Sequence, residues 1–203
     1  MNLPNKLTVS RFVLTVVFLV ALFWPWNIPF RNSFALLFFC LAGVTDFLDG
    51  RIARARKLIT NFGILMDPLA DKIMTCSAFI AFVESTRLHP NAPVKVGAWM
   101  VIIIVARELA ITGLRLLAAS KGAVLPAESL GKHKTGWQIA TVIFFLLILS
   151  AREFDGLGLD SKLLDALQSK AGTPLIGIAL GLTLYSGVGY FWRNRQVLTT
   201  HQD

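Results

Sequence analysis

Four aspartates of the sequence occur in two pairs, and each pair has helical spacing. Asp46 and Asp49 are three residues apart, whereas Asp67 and Asp71 are four residues apart. Residues at these spacings share one face of a helix, where like charges repel each other. A bound divalent cation relieves such repulsion, and carboxylate oxygens suit Mg²⁺, Mn²⁺ or Ca²⁺. The four aspartates therefore predict a metal site, with carboxyl groups that share protons as the alternative.

The elements that must position these aspartates are strongly apolar. Of the 203 residues, 55% are hydrophobic and 16% are charged, and the mean hydropathy is +0.62. A soluble domain of this size needs a more polar surface, and apolar runs of about 20 residues match the thickness of a bilayer core. We therefore predict a single all-α, polytopic membrane domain over residues 1–203. Its transmembrane helices, about six in number, are expected at residues 7–24, 33–53, 62–83, 94–117, 136–151 and 174–192. The loop expected from Arg152 to Gly172 contains the amphipathic stretch SKLLDALQSK, which is predicted to form a short helix at the outer surface.

The distribution of Lys and Arg predicts the orientation of these spans. One set of helix ends, which includes both terminal segments, carries most of the basic residues. The positive-inside rule therefore places both termini and the aspartate pairs at the cytoplasmic side. Arg107 and Arg115, on the fourth span, are expected at the same depth as the aspartates. The net charge of +8 is interpreted as a topology signal and an attraction to anionic lipids, and not as a sign of nucleic-acid binding.

The residues between the aspartate pairs are suited to a phosphate-bearing ligand. Gly50, Ala53 and Gly63 keep the helix faces slim, so a bulky group can approach the backbone. Arg54 presents a planar guanidinium that matches phosphate geometry. Thr60 precedes the expected third helix, where a hydroxyl either caps the helix or donates to an anion. Metal ligands beside phosphate donors indicate metal-assisted phosphoryl transfer.

Together, the aspartate pairs and the residues between them form one pattern: Asp46-x2-Asp49-Gly50-x2-Ala53-Arg54-x8-Gly63-x3-Asp67-x3-Asp71. It resembles, without a gap or a substitution, the signature of the CDP-alcohol phosphatidyltransferase family. The flanking segments LPNKLTVSR, MDPLADK, ARELAITGLRLLAA and GKHKTGWQ are similar to bacterial members that use glycerol 3-phosphate. The resemblance implies a six-helix enzyme of the bacterial inner membrane, with its active site facing the cytoplasm. Such an enzyme joins CDP-diacylglycerol to glycerol 3-phosphate and releases CMP.

The resemblance also implies a role for each residue of the pattern. Asp46, Asp49 and Asp67 are assigned to metal binding, and Asp71 is assigned as both a metal ligand and the general base. The positions that bind CDP-diacylglycerol are Gly50, Ala53, Arg54, Thr60 and Gly63. Two Mg²⁺ or Mn²⁺ ions per site and a homodimer are further implications of the resemblance.

The acceptor alcohol is not specified by the shared pattern. Glycerol 3-phosphate carries a dianionic phosphate, so its enzyme needs cations near the metals in addition to Arg54. Arg107 and Arg115 are eight residues apart, or roughly 12 Å along one helix, and arginine suits bidentate phosphate recognition. Lys132 and Lys134 begin the fifth span. We predict that these four residues bind glycerol 3-phosphate, with membrane topology as the alternative explanation for the two lysines.

Other polar residues in or near the apolar spans are more ambiguous. Glu108, beside Arg107, is interpreted either as a partner between helices or as part of the site. Thr112 and Gln138 are candidates for contacts with the glycerol hydroxyls. Arg11, early in the first span, is expected either to snorkel to the interface or to face protein. For Lys72, snorkelling or membrane topology is the expected explanation.

Several alternative functions remain open at this stage. Inositol phosphate and phosphatidylglycerol are alternative acceptors within the same family. A cation-coupled membrane carrier is the alternative of another class, and it would also explain acidic residues in apolar spans. A carrier would neither consume CDP-diacylglycerol nor release CMP. A lipid-binding homologue without turnover would require the loss of a catalytic aspartate, and all four are present.

Overall fold

The computed structural model of the chain is all-helical over the residues that it describes. The described backbone comprises residues 3–23, 29–56, 61–88, 95–120, 125, 129–154 and 160–195. Outside this description are also the side chains of residues 3–7, 48–56, 61–65, 67–68, 71, 86–88, 120, 129–130 and 132. The helices are α1 (Leu3–Phe23), α2 (Arg31–Arg56), α3 (Asn61–Leu88), α4 (Ala98–Ser120), α5 (Ser129–Ala151), α6 (Ser161–Leu167) and α7 (Thr173–Arg193). A π-helical turn, Gln168–Gly172, joins α6 to α7.

Every predicted span coincides with a long helix of the described chain. The spans predicted at 33–53 and 62–83 lie within α2 and α3, and those predicted at 136–151 and 174–192 lie within α5 and α7. By length and apolar composition, two described helices are suited to cross a bilayer, His133–Ala151 and Ser161–Arg193. A shorter apolar helix covers Thr8–Phe23. The all-α class is therefore confirmed, and the full number of spans stays a prediction.

The described helices pack around a core rich in phenylalanine. α1 lies against α2 and α3, α5 contacts α2 and α7, and α4 packs between α3 and α7. The rings of Phe18 on α1 and Phe39 on α2 are 5.7 Å apart, and those of Phe82 on α3 and Phe145 on α5 are 5.4 Å apart. All four side chains are buried, as is Ile104 on α4. This apolar packing fixes the relative positions of the helices that carry the polar residues.

Polar contacts join α2, α5 and α6 at the end of the bundle opposite to the aspartates. The carboxylate of Glu153 accepts hydrogen bonds from the backbone N–H groups of Asn32 (2.7 Å) and Ser33 (3.0 Å). These groups lie in the first turn of α2, where backbone donors have no partner inside the helix. Arg152 contacts Asp165 and Gln168 beyond α5. Glu153 thereby caps α2, and Arg152 attaches the α6 segment to α5.

The segment before α7 differs in part from the sequence-based expectation. The amphipathic stretch SKLLDALQSK was predicted to form a short helix, and α6 confirms it; Asp160 caps α6 by accepting from the N–H of Lys162. A loop was expected as far as Gly172, which is wrong, because the helix continues through the π-helical turn into α7. Pro174 lacks an N–H group and its ring disfavours the preceding helical turn. A π-helical turn is one of the ways in which a helix accommodates such a residue.

Candidate active site

Glu108 on α4 is the centre of a buried charge cluster. The residue is 3% exposed, and its carboxylate meets cations from three helices. The Nζ atom of Lys72 on α3 lies 3.1 Å from Oε2, and Nη1 of Arg107 on α4 lies 3.4 Å from Oε1. Lys134 on α5, itself 1% exposed, also pairs with Oε1. Three cations thus contact this carboxylate, and the four described residues of the Glu108 cluster (Lys72, Arg107, Glu108 and Lys134) carry more positive than negative charge.

The Glu108 cluster connects the helix of the second aspartate pair with the helices of the predicted acceptor cations. Lys72 follows Asp71 directly on α3, and Glu108 follows Arg107 on α4. The contact between Lys72 and Glu108 brings charged residues of α3 and α4 to the same level of the bundle. The expectation that Lys72 only snorkels or reflects topology is wrong, because its ammonium is bound to a buried carboxylate from another helix.

Arg107 lies where α4 contacts α7. Its Nη2 atom donates a 3.0 Å hydrogen bond to Oγ of Ser186, whose hydroxyl in turn donates to the carbonyl of Thr183. The side-chain stem passes the backbone of Gly187 so closely that an added Cβ would lie 2.8 Å from Cγ of Arg107. The Nε atom is buried and has no hydrogen-bond partner among the described residues. Arg107 is therefore held by its stem and by both terminal nitrogens, and its Nε atom is the donor that no described residue satisfies.

Arg115 is also held by α7. Its Nε atom donates a 3.1 Å hydrogen bond to the hydroxyl of Tyr190, and its guanidinium carbon lies 5.5 Å from the centre of the same ring. This bond uses Nε and not the two terminal nitrogens, which form the fork that binds phosphate in a bidentate way. Arg115 is exposed, whereas Tyr190 is buried, with 3% of its surface accessible. A buried tyrosine thus fixes an arginine whose end reaches the surface of the bundle.

A stripe of polar side chains on α7 makes the contacts to α4 and α5. Thr183, Ser186 and Tyr190 are all buried, and their spacing of three and four residues places them on one helix face. Thr183 accepts a 3.0 Å hydrogen bond from Nε2 of Gln138 on α5. Gln138, a candidate for the glycerol hydroxyls, is therefore bound to another helix in this structure. The α7 polar stripe (Thr183, Ser186 and Tyr190) faces the protein and not the surroundings of the bundle.

Asp46, the first aspartate of the pattern, pairs with a buried arginine. Nη2 of Arg11 on α1 lies 2.8 Å from Oδ1 of Asp46 on α2. The Arg11 side chain is fully buried, whereas that of Asp46 is 48% exposed. Of the two interpretations of Arg11, the one in which it faces protein is confirmed, because its guanidinium is buried and pairs with a carboxylate of the neighbouring helix. Arg11 therefore orients one oxygen of Asp46 while the carboxylate still reaches the surface.

Most of the remaining predicted site residues lie outside the described side chains. Asp49 is on α2 together with Asp46, and Asp67 and Asp71 are both on α3, so each pair keeps the helical spacing that the metal prediction requires. The description covers the helix, but not the side chain, of Ala53, Arg54, Lys132 and these three aspartates; Gly50 and Gly63 are likewise placed only by their helices. Thr60 lies outside the described residues altogether. The metal and CDP-diacylglycerol assignments for these positions stay predictions.

The sequence analysis missed the residues of α7 that hold the arginines. Ser186, Gly187 and Tyr190 lie in a stretch that was interpreted only as an apolar span. The available signal was the spacing of Thr183, Ser186 and Tyr190, which puts three polar groups on one face of an otherwise apolar helix. Polar groups in such a helix usually face the interior of a bundle. For Glu108, a partner between helices was one of two interpretations left open, and its contacts to Lys72 and Lys134 support that one.

Comparison with known proteins places this arrangement in a family. Residues 1–189 match the sequence model described as CDP-alcohol phosphatidyltransferase. A CDP-diacylglycerol--glycerol-3-phosphate 3-phosphatidyltransferase of Bacillus subtilis is 35% identical over 209 aligned residues, which cover 98% of each chain. The protein of the same description from Rickettsia typhi is 33% identical, over 94% of this chain and 95% of its own. A probable phosphatidylglycerophosphate synthase of Mycobacterium tuberculosis is 37% identical, over 73% of this chain and 68% of its own.

The matches cover most of the chain, including the residues of the candidate site. The family match includes both aspartate pairs, the Glu108 cluster and the α7 polar stripe up to Ser186. The relatives from Bacillus subtilis and Rickettsia typhi align over nearly the whole chain, so the likeness does not rest on a shared fragment. Members of this family are membrane-bound transferases. The chain belongs to the CDP-alcohol phosphatidyltransferase family.

Proposed function

We propose that this protein transfers the phosphatidyl group of CDP-diacylglycerol to glycerol 3-phosphate, and that it forms phosphatidylglycerophosphate and CMP. Three kinds of support converge on this reaction. The relatives named above carry descriptions of this activity. The complete aspartate pattern is present in the sequence. The Glu108 cluster supplies cations for an acceptor that bears a phosphate.

The observation that carries the choice of acceptor is the convergence of three described cations, Lys72, Arg107 and Lys134, on Glu108. A neutral alcohol would not compensate this charge, whereas the phosphate of glycerol 3-phosphate would. The buried Nε donor of Arg107 has no hydrogen-bond partner among the described residues, and such donors are costly unless a ligand satisfies them. Arg107, Arg115, Lys132 and Lys134 are the residues that we assign to the phosphate.

The aspartates are assigned to a divalent metal site on α2 and α3. Hard carboxylate oxygens are the donors that Mg²⁺ and Mn²⁺ prefer, and the partly exposed carboxylate of Asp46 fits such a role. We assign Asp46, Asp49, Asp67 and Asp71 as the ligands of two ions. When bound, these ions would neutralise the negative charge on the phosphate oxygens. The CDP moiety is assigned to Gly50, Ala53, Arg54, Thr60 and Gly63.

The chain's own residues then account for the proton and for the position of both substrates. Asp71 accepts the proton of the 1-hydroxyl of glycerol 3-phosphate, and the hydroxyl oxygen attacks the β-phosphorus of CDP-diacylglycerol. A bond forms between this oxygen and phosphorus, and the bond from phosphorus to the CMP oxygen breaks. Arg107 and Arg115 hold the acceptor phosphate away from the reacting centre. Orientation of this kind accounts for a large part of enzymatic rate enhancement.

The membrane placement follows the same proposal. Six helices span the bilayer, both termini lie in the cytoplasm, and the aspartates lie near the cytoplasmic surface of a bacterial inner membrane. The acyl chains of CDP-diacylglycerol then stay in the bilayer while its headgroup reaches the aspartates. A homodimer, as the family resemblance implies, is the proposed assembly. Chemical cross-linking in native membranes and in detergent tests the assembly.

The decisive experiment is CMP release by the purified protein. The protein is incubated in detergent or lipid vesicles with CDP-diacylglycerol, Mg²⁺ or Mn²⁺, and one alcohol at a time: glycerol 3-phosphate, inositol phosphate, phosphatidylglycerol, serine or glycerol. We expect CMP and phosphatidylglycerophosphate with glycerol 3-phosphate alone. If CMP is released with inositol phosphate or phosphatidylglycerol and not with glycerol 3-phosphate, that alcohol is the acceptor and our assignment of glycerol 3-phosphate is wrong. CMP release with none of the alcohols would contradict the enzyme and leave a carrier to be tested by ion flux.

A further inference from the structure

We propose that α7 sets the affinity of this protein for the acceptor phosphate, through Ser186, Gly187 and Tyr190 acting as positioning residues for Arg107 and Arg115. The inference rests on the proposed function, because it takes the two arginines as the ligands of the acceptor. It assigns a role in acceptor binding to α7, a helix that lies outside the aspartate pattern. None of the three α7 residues is required to touch a substrate.

Each of the two arginines contacts a different turn of α7, and the two turns are neighbours. Ser186 receives the hydrogen bond from Nη2 of Arg107, and Tyr190, one turn later, receives the bond from Nε of Arg115. Both acceptors are at least 97% buried. The two arginines, eight residues apart on α4, are thus aligned by one face of a single helix. A change of the rotation or height of α7 would move both guanidinium groups together.

Gly187 makes this alignment possible for Arg107. The stem of the arginine lies where a Cβ of residue 187 would be, since the distance from that position to Cγ is 2.8 Å. A heavier residue at this point must displace the stem, which is close to the α4 backbone and so has little room to adjust. The guanidinium would then lose its bonds to Ser186 and Glu108. Gly187 is therefore a site at which one methyl group changes the position of a charged side chain without changing any charge.

The energetic reason for such positioning is the length of the arginine side chain. A free guanidinium loses much rotamer entropy when it binds a phosphate, whereas one already fixed in place loses less. Hydrogen bonds from Ser186 and Tyr190 fix each arginine before the substrate arrives. The effect should appear in the affinity for the phosphate-bearing substrate, and not in the affinity for the nucleotide lipid.

Two variants test the inference, each with a matched control on α7. Gly187→Ala displaces Arg107, and its control is Gly181→Ala, where an added Cβ meets no atom within 4 Å. Tyr190→Phe removes the hydroxyl that fixes Arg115 but keeps the ring, and its control is Tyr185→Phe, at a residue that is 69% exposed. The KM for glycerol 3-phosphate, the KM for CDP-diacylglycerol and kcat are measured for each purified protein. Thermal unfolding with and without glycerol 3-phosphate reports binding without turnover.

We expect Gly187→Ala and Tyr190→Phe each to raise the KM for glycerol 3-phosphate by about threefold to tenfold, the size expected for one hydrogen bond. The KM for CDP-diacylglycerol should stay within about twofold of the wild type, and both controls should behave as the wild type. Stabilisation by glycerol 3-phosphate should weaken in the two test variants. An unchanged KM for glycerol 3-phosphate in both variants would overturn the inference, and so would an equal rise of both KM values.

The proposed function is judged separately, from the wild type alone. Wild-type protein that releases no CMP with glycerol 3-phosphate would refute the proposed function, whatever the variants do. In that case the thermal unfolding still tests α7, because loss of phosphate-dependent stabilisation in Tyr190→Phe but not in Tyr185→Phe supports the positioning role. If Gly187→Ala does not fold, Tyr190→Phe decides, since it removes only one buried oxygen.

Discussion

The ammonium group of Lys72 on α3 lies 3.1 Å from a carboxylate oxygen of Glu108 on α4. Their sequence neighbours are Asp71, the assigned general base, and Arg107, an assigned ligand of the acceptor phosphate. One ion pair therefore joins the helix of the proposed base to the helix of the proposed phosphate ligands. Lys134 adds α5 to the same carboxylate. The relative position of base and phosphate ligands depends on Glu108.

Replacement of Glu108 by glutamine should destabilise the protein. The variant Glu108→Gln leaves three cations without their common counter-charge, and breaking a buried ion pair by removal of one partner costs about 3–5 kcal/mol. Removal of one cation as well, in Glu108→Gln/Lys134→Met, should recover part of this loss. Chemical unfolding in detergent gives the free energies for the single and double variants. The control is Asp165→Asn, because Asp165 pairs with Arg152 at a partly exposed site, and such pairs contribute about 0–1 kcal/mol.

A double variant whose loss of stability equals the sum of the two single losses would contradict this interpretation. Additive losses would show that Glu108 and Lys134 do not depend on each other.

Replacement of Arg107 should affect one substrate much more than the other. Arg107→Ala removes a charge-assisted contact, so the KM for glycerol 3-phosphate should rise by roughly tenfold to a hundredfold, with a much smaller change for CDP-diacylglycerol. Arg107→Lys keeps the charge but loses the planar fork, and we expect an intermediate effect. Initial rates of CMP release at varied concentrations of each substrate give both values. Equal effects on the two substrates would remove Arg107 from the acceptor site.

Replacement of Asp71 should reduce turnover more than binding. Asp71→Asn keeps the size of the side chain but cannot accept the proton, and loss of a general base typically costs about 10²–10⁴-fold in rate. Binding of CDP-diacylglycerol, measured by a fluorescent analogue or by thermal stabilisation, should largely persist. Turnover near the wild-type rate in this variant would exclude Asp71 as the base. Asp160→Asn, in the cap of α6, is a suitable control for loss of a carboxylate far from the reaction.

The pair of Arg11 and Asp46 should affect the metal requirement. Arg11→Gln removes the buried cation that orients Asp46, and loss of such a supporting contact typically weakens metal binding or activity by about 10–100-fold. Activity after removal of metal by EDTA, titrated back with Mg²⁺ or Mn²⁺, gives the concentration for half-maximal rate; calorimetric Mn²⁺ titration gives binding directly. Arg11→Lys should restore part of the affinity, because it keeps the charge. Asp46→Ala, as a ligand, should lose more than Arg11→Gln.

If Arg11→Gln binds Mn²⁺ as tightly as the wild type, Arg11 only stabilises the contact between α1 and α2. If Asp46→Ala does so as well, Asp46 is not a metal ligand.

The helices and their approximate ends could be predicted because they depend on local sequence. Apolar runs of helical length, as in the segments that became α2 and α3, need no knowledge of the partner helix. The short α6 was predicted from its amphipathic pattern for the same reason. The continuation of α6 into α7 was not predicted, because Pro174 indicates the start of a helix. The π-helical turn that accommodates Pro174 has no sequence signature.

The proposed chemistry could be predicted from the sequence alone, because it depends on two aspartate pairs at helical spacing with candidate phosphate-binding positions between them. The whole pattern lies within 26 consecutive residues, from Asp46 to Asp71, so it can be recognised without knowledge of the tertiary structure. The side chains that pair with Arg107, Arg115 and Lys134 became known from the packing of the helices. Lys134 and Glu108 are 26 residues apart in sequence, and Arg107 and Ser186 are 79 apart. Such pairings depend on how apolar helix faces pack, because packing fixes helix rotation and leaves each buried charge with a small choice of partners.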